Sequence, residues 1–442
     1  MVVIEERRET PVLGEYEVVV LGGGPAGIAA AASAGRSGRS TIVIERYGFL
    51  GGAGTAAGLA NFCGLHAKVA GEHRQVVHGI CDDILDRLER LGGLSQPHAL
   101  FQDRIQAQAY DISAYKIAAD ELLLSSEVKL LFHALAVSVS KSKNKVEALI
   151  VETKSGRGAI LGQVFIDCSG DGDLAAWAGA PYEIGDGKGG MLYPSTMYRI
   201  GGVDPQKAGK AWELIPQLME KAEREGRRFP RKKPIVRPQP NPTEWRANLT
   251  QIRNPDGSAV SGINAEELSF GEVEGRRQCR DTFEFIREVT PGFERAYIAE
   301  IAPQIGIRET RRMRGEYMLT EDDVLDCADF PDSIGVNGWP VEEHVAGSVE
   351  FRFQRKPRGF NQLPYRMIIP LGIENLLVAG RCASMTHGGQ SAARVSGPCF
   401  AMGQAAGTAA HLALRDGVPA RTLEVELLKK TLEADGAYLG GG

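Results

Sequence analysis

The sequence predicts an α/β fold, in which a parallel sheet with helices on its faces is assembled from both ends of the chain and an α+β unit is inserted between them. Three observations lead there. A short apolar run at 17–21 breaks into a glycine-rich turn and an Ala-rich helical segment, and a second apolar run follows at 41–45, so the crossover makes the two strands parallel. The same rhythm of strand, glycine and helix returns at 375–381 and 398–414, near the other end. Between about 181 and 359 it is absent.

Taken in order, the polar arm 1–15 has no apolar stretch of signal-peptide type. The β-α-β unit of 17–45 comes next. Helical spacing of apolar residues predicts helices over 79–92 and 113–124, and alternation predicts strands over 128–140, 146–152 and 163–167. The last of these runs into Cys168-Ser169-Gly170-Asp171 and a helix through Ala178. Within the inserted unit we expect an alternating strand at 191–200 and an amphipathic helix at 211–225. A Pro/Arg/Asn-rich loop over 229–254 follows, then a helix at 279–300 broken near Pro291 and a mostly extended run at 305–319. The predicted domains are therefore 1–180 with 360–442, and 181–359.

With 442 residues, 43% hydrophobic and 24% charged, the chain is long enough for more than one buried core, which excludes a disordered or fibrous protein. A net charge of −5 provides no broad positive field for nucleic acid or anionic lipid. No apolar stretch reaches the 18 residues of a membrane span. Seven cysteines without a C-x-x-C pair fit a reduced, cytoplasmic protein lacking disulfides and zinc, and an oligomer is left open. Glycine is in excess at 54 residues, with no collagen-like period, which points to tight turns and to backbone approaching a ligand.

The turn after the first strand reads Gly22-x-Gly24-x-x-Gly27, a weak pattern alone. Here a strand precedes it, a helix opens inside it, and Glu45 ends the next strand, as a dinucleotide site requires. Gly22 permits the turn, Gly24 lets backbone approach a pyrophosphate, Gly27 lets helix pack on strand, and free amides at Ala26 and the helix start face the anion. Pro25 itself contributes fixed φ rather than a donor. Glu45 can accept hydrogen bonds from a ribose. A second cluster, Gly51-Gly52-Ala53-Gly54-Thr55, suits a bulky planar cofactor and favours FAD over NAD. Gly380-Arg381 and the helix with Gly403 and Gly407 supply a further close approach.

The stretches VVLGGGPAGIAAA, IERYGFLGG, FIDCSGDGDLAAWAG, IGIRETRRMRGEYMLTEDDV and NLLVAGRCASMTH…GQAAGTAA resemble the FAD-dependent oxidoreductase family allied to fumarate reductase and glutathione reductase type flavoproteins. The resemblance implies a Rossmann-like FAD-binding domain whose 51–54 loop lines the cofactor. It also implies that the helix after Pro398 aims its N-terminus at the flavin pyrimidine edge, stabilising negative charge there. Arg46, Ala136, Ser169, Gly170 and Asp171 fall beside the cofactor on the same basis.

For chemistry, His387 and Arg394 flank a glycine-rich loop before the cofactor helix, where one could move a proton and the other hold a carboxylate or the flavin carbonyl. Arg308, Glu309, Arg311 and Arg312 crowd one run, and strand alternation sends Arg308 and Arg312 to one side and Glu309 and Arg311 to the other. Arg308 or Arg311 then faces the site, or the run forms interface ion pairs. Cys63 and His66 follow the second glycine cluster closely enough to lie near the ring. No second strand-glycine-helix fingerprint occurs; Gly185-x-Gly187-x-Gly189 has the wrong spacing. The expectation is an FAD enzyme exchanging a hydride with a small polar organic substrate, as a dehydrogenase or oxidase using oxygen or another external acceptor. The alternatives are a flavin enzyme without net redox change and a non-catalytic nucleotide-binding protein.

Overall fold

The computed structural model describes residues 9–441, so the first eight residues of the polar arm lie outside the described residues. The run 17–21 is the inner end of a longer strand, Val12–Leu21, whose last four residues are buried. It pairs in parallel with Thr41–Ile44 on one side and with Gly156–Asp167 on the other. Lys129–Leu131 extends the sheet beyond Thr41–Ile44. The other edge of Gly156–Asp167 is divided along its length. Its last three residues take Leu376–Val378 in parallel, while its first half takes the antiparallel pair Lys145–Thr153 and Leu135–Ser142. The expected single strand at 128–140 is thus two strands with different partners.

Helices cover the parallel part, which is why Thr41–Ile44 and Leu376–Val378 are buried at every residue and read as unbroken apolar runs. Pro25–Arg36 and Ser396–Asp416 lie against each other here. A Cβ on Gly403 would sit 2.1 Å from the Ala26 carbonyl oxygen, and one on Gly407 would sit 2.1 Å from that of Ala30. The contacts advance together along both chains, so the helices run parallel. Ser396, seven residues before Gly403, therefore projects about 10 Å past the level of Ala26 at 1.5 Å per residue.

The inserted unit is a four-stranded antiparallel sheet in the order Ile235–Pro238, Trp245–Asn248, Tyr198–Gly201, Tyr297–Ile301. The helices Ala211–Arg224 and Ala265–Val289 accompany it. Two of these strands occupy the expected loop 229–254. Pro238 is tolerated because its strand is at the sheet edge. The expected helix at 279–300 instead runs from Ala265 to Val289, capped by the Asn264 side chain, and ends with only Thr290 between it and Pro291. Its first half looked unhelical because of Gly271 and Gly275, yet a Cβ on Gly275 would lie 2.0 Å from the Thr196 hydroxyl, so glycine there serves close packing.

The packing divides the chain elsewhere than at 181 and 359. A separate core is formed by residues between Tyr198 and Ala296, with Trp245, Phe293 and Ile286 at its centre. Met313, Leu319, Val336, Leu363 and Met367 belong to the core of the parallel sheet. The run 305–319, expected to be mostly extended, contains one short strand, Arg311–Met313, pairing with Tyr182–Ile184. No helix among the described residues is long and apolar enough to cross a membrane.

Candidate functional site

Leu21, Ile44, Leu131, Asp167 and Val378 all end parallel strands at the same edge of the sheet, so the segments that follow them converge. In open α/β sheets that edge is where ligands bind. A cavity of about 820 Å³ opens there, in the upper part of the roughly 300–1,000 Å³ range of cofactor and ligand sites. Its other wall comes from the inserted unit, through Leu268, Glu272, Gln304, Ile305 and Ile307.

The three fingerprint glycines have separate reasons. Gly22 has φ +97°, and a Cβ on Gly27 would lie 1.8 Å from the Gly22 carbonyl oxygen, so these two shape the turn and the helix packing. A Cβ on Gly24 would meet nothing closer than Gly52 Cα at 3.6 Å, and Gly24, Pro25 and Ala26 line the cavity. Gly24 caps the helix with no side-chain hydrogen bond, which leaves the first amides unspoken for. Glu45, buried at 7% exposure, accepts from the Gly23 amide through Oε2 at 2.8 Å and from the Tyr47 amide through Oε1 at 3.0 Å. It lines the cavity with its remaining lone pairs. A glycine cradle, open helix amides and an acidic residue at the second strand end fit an adenine dinucleotide.

In the second glycine cluster, Gly52, Ala53 and Gly54 line the cavity, and Gly52 approaches Gly24 so closely that a Cβ would be 2.7 Å from its Cα. Gly51, with φ +106°, donates to the Gly23 carbonyl at 2.8 Å, and Thr55 donates to the Leu50 carbonyl at 2.7 Å. Gly51 and Thr55 thus hold the loop instead of facing the cavity. Gly403, expected against the cofactor, is spent on the crossing with Pro25–Arg36. The mouth of that second helix, Arg394 to Ser396 and Cys399, does line the cavity, and Val395 caps it without a side-chain bond. The helix begins two residues before the expected Pro398.

Ala136, Ser169, Gly170, Asp171, Gly380 and Arg381 also line the cavity, as does Arg46, whose guanidinium reaches Gln304 Oε1 at 3.2 Å across it. Arg381 donates to Asp171 Oδ1 at 3.0 Å and to Thr310 at 3.1 Å. Arg311 lies behind this loop, donating to Asp173 Oδ1 at 2.8 Å and to the Asp171 carbonyl at 3.1 Å. Burial and the neighbouring Asp171 push the Asp173 carboxyl upward.

Two expected catalytic residues are elsewhere. His387 is absent from the cavity wall; its Nδ1 is 3.0 Å from Glu309, a carboxylate with no exposed surface that also pairs with Arg312. Glu309 and Arg312 therefore share a side, against strand alternation, because 306–310 is irregular. Arg308 is buried and donates to the Tyr193 carbonyl at 2.7 Å. Burial, with Arg394 and Arg231 nearby, drives its pKa well below the ordinary arginine value.

Sequence reasoning missed the surroundings of Arg394. Phe62 and Tyr110 line the cavity with ring centroids 4.3 Å apart. Glu342 Oε2 stands 3.8 Å from Arg394 Nη2 and accepts from Trp339 Nε1 at 2.9 Å, and its Oε1 is 3.2 Å from His344 Nε2. Burial opposes ionisation of Glu342, but these donors and Arg394 outweigh it and hold the carboxyl at about 2. Burial and Arg308 keep His344 neutral by lowering its pKa well below the usual range, so its Nε2–H donates. The signal was available, since Glu342 and His344 stand two apart behind an apolar Trp339-Pro340-Val341 and so share a strand face. Cys63 is half-buried and its thiol is pushed up to about 12, which makes it a poor nucleophile. His66 is buried and lowered to about 4.

The family model described as FAD dependent oxidoreductase matches residues 17–432. No curated protein matches the chain. Among solved structures, a geranylgeranyl bacteriochlorophyll reductase-like protein from Thermoplasma acidophilum is 14% identical with a TM-score of 0.48, covering 95% of this chain and 84% of its own. The p-nitrophenol 4-monooxygenase PnpA from Pseudomonas putida is 12% identical with a TM-score of 0.47, covering 97% and 90%.

Proposed function

The chain belongs to the FAD dependent oxidoreductase family, and on that premise we propose that it is a cytoplasmic dehydrogenase or oxidase. It takes electrons from a small polar organic substrate and passes them to oxygen or another external acceptor. The observation that carries the reading is the pair of parallel helices whose uncapped N-termini both open on one cavity, staggered by about 10 Å. Two positive helix ends at that separation suit a ligand with anionic character in its middle and at one end.

FAD, when bound, supplies the two-electron chemistry. The chain's own residues would hold it: the amides after Pro25 receive the pyrophosphate, Glu45 accepts from the ribose, and Gly52 to Gly54 leave room for the rest. Phe62, Tyr110, Leu59 and Ile307 give the cavity wall an apolar stretch that would exclude water. Arg394, beside the second helix mouth, orients the substrate or the ring edge. The glycines at 185, 187 and 189 all have positive φ in a loop, exposed at 187 and 189, that no helix follows, which supports an acceptor other than a resident nicotinamide. Seven free cysteines support a reducing compartment.

The test is an anaerobic screen of candidate substrates against the yellow protein. Loss of the flavin absorbance with an organic substrate and its return with oxygen or a dye acceptor is expected. Protein that binds no flavin, or that NADH or NADPH bleaches saturably at about 1 s⁻¹ or faster, within the usual enzymic range, would overturn the reading.

A further inference from the structure

We propose that the Gln304 side chain is a swinging bar across the cavity, held shut by Arg46 and Tyr47, and that its opening sets the rate at which the dinucleotide enters and leaves. The proposal rests on the reading of the cavity as an FAD site and adds how that site exchanges its cofactor.

Arg46, Tyr47 and Gln304 all line the cavity. The first two directly follow Glu45 at the end of the strand Thr41–Ile44, while Gln304 belongs to the segment that leaves Tyr297–Ile301 in the inserted unit. Gln304 Oε1 accepts from Arg46 Nη2 at 3.2 Å and from the Tyr47 hydroxyl. A carboxamide oxygen has two lone pairs, so the tip of the side chain is saturated. The contact joins the wall built by the parallel sheet to the wall built by the inserted unit.

The base of the bar is fixed. The Gln304 amide donates to the Ala56 carbonyl at 3.0 Å, and the next amide, of the buried Ile305, donates to Glu272 Oε1 at 2.7 Å. The backbone here is tied to both units, and what remains free to move is the side chain, by rotation between staggered rotamers. Opening breaks two hydrogen bonds and moves no domain.

The bar also stands on the solvent side. Arg46 and Pro303 are exposed and Gln304 is half-buried, whereas Ile44, Glu45 and Cys168, on the same cavity's wall, are buried. A ligand that fills the cavity is enclosed between that buried wall and the bar. Hydrogen bonds at a wet position contribute little net, since water replaces them when they break. That suits a contact which opens and re-forms. Because the bar is held by the protein's own residues, its opening equilibrium is the same with the cavity filled or empty. Removing it then speeds entry and release alike and leaves affinity unchanged, whereas removing a cofactor contact speeds release alone and weakens binding in step.

The experiment chases holoenzyme carrying radiolabelled FAD with excess unlabelled FAD for the release rate, and dialyses it to equilibrium for the Kd. In Gln304→Ala, release is expected to be at least about fivefold faster, the lower range for two lost hydrogen bonds, with Kd within about twofold of wild type. Tyr47→Phe, which keeps the ring and removes one donor, is expected to fall between the two. Gln304→Glu offers acceptor oxygens to the same two donors and is expected to release FAD no faster than wild type. Unchanged release in Gln304→Ala and Tyr47→Phe overturns the proposal. So does a Kd that weakens in step with release, which would make Gln304 an ordinary cofactor contact. If Gln304→Ala does not fold, Tyr47→Phe and Gln304→Glu still decide. A protein that holds no FAD would remove the oxidoreductase reading itself, whereas one that holds FAD and releases it without regard to Gln304 would remove only this inference.

Discussion

Replacing Gly403 by alanine separates a helix-packing role from a cofactor contact. The new Cβ would lie 2.1 Å from the Ala26 carbonyl oxygen and 2.8 Å from the Ala26 Cα, both backbone atoms that no rotamer can move aside. Ordinary contact needs about 3.5 Å, so Pro25–Arg36 and Ser396–Asp416 must part by about 1 Å. Overpacking of this kind costs about 1–3 kcal/mol, against a gain of about 1 kcal/mol in helix propensity on replacing glycine. A net loss follows. The apoprotein should melt a few degrees lower, at about 2 °C per kcal/mol for a chain of this size. Gly407→Ala, 2.1 Å from the Ala30 carbonyl oxygen, should behave alike, and the double variant should lose less than the sum because one separation relieves both clashes. Circular-dichroism melting of the apoprotein, with FAD titration alongside, is the assay. An unchanged apoprotein midpoint with a tenfold weaker FAD affinity would refute the packing argument and return Gly403 to the cofactor.

Other outcomes follow from the same structure. Glu45→Ala removes the acceptor of the Gly23 and Tyr47 amides and the expected ribose contact, so FAD affinity in an equilibrium titration should fall about 10- to 150-fold, the loss of about 1.5–3 kcal/mol; unchanged affinity would exclude the ribose role. Arg394→Ala should slow flavin reduction in stopped flow by about 10- to 150-fold, while His387→Ala, remote from the cavity wall, should change the melting midpoint more than the rate; the reverse ranking would restore His387 as the catalytic group. His66 and His98 are lowered to about 4 by burial and His344 is lowered as well, so below about 6.5 the unfolded chain binds protons that the folded chain refuses. The stability these groups contribute is complete above about 6.5 and is lost as pH falls from there towards 4 and below, which urea unfolding at pH 7.5, 6 and 5 will show; a flat profile across that window would contradict the buried neutral state.

The parts of the fold visible in the sequence are those where one local signal had one cause. The strand at 17–21, the glycine turn and the helix of Pro25–Arg36 agree in periodicity, turn chemistry and propensity, and nothing in the tertiary structure overrides them. The helix Ala265–Val289 was half missed because its first half carries Gly271 and Gly275, and Gly275 obeys a contact partner instead of a propensity: Thr196 lies where its Cβ would be. Pro238 hid an edge strand for a related reason, since the missing amide matters only where a neighbour needs it. The core boundary was misplaced because 311–378 returns in short pieces, such as Arg311–Met313 and Leu376–Val378, too brief for periodicity to declare which sheet they join.

The site divides along the same line. Residues that act through the backbone were legible, because glycine at 24 and 52 and the paired helix starts follow from spacing alone. Residues that act through charge were not, because a guanidinium's role depends on which partners the fold leaves it. Arg308, Arg311, Arg312 and Arg394 look equivalent in sequence, and three of them are consumed by Tyr193, Asp173 and Glu309. Of the four only Arg394 lines the cavity, 3.8 Å from Glu342, which another segment brings in. The 3.8 Å gap exceeds a hydrogen bond, so Glu342 holds Arg394 by charge alone, and the segment that carries Glu342 sets where the guanidinium stands. That placement depends on a contact between residues 342 and 394 that spacing along the chain does not show.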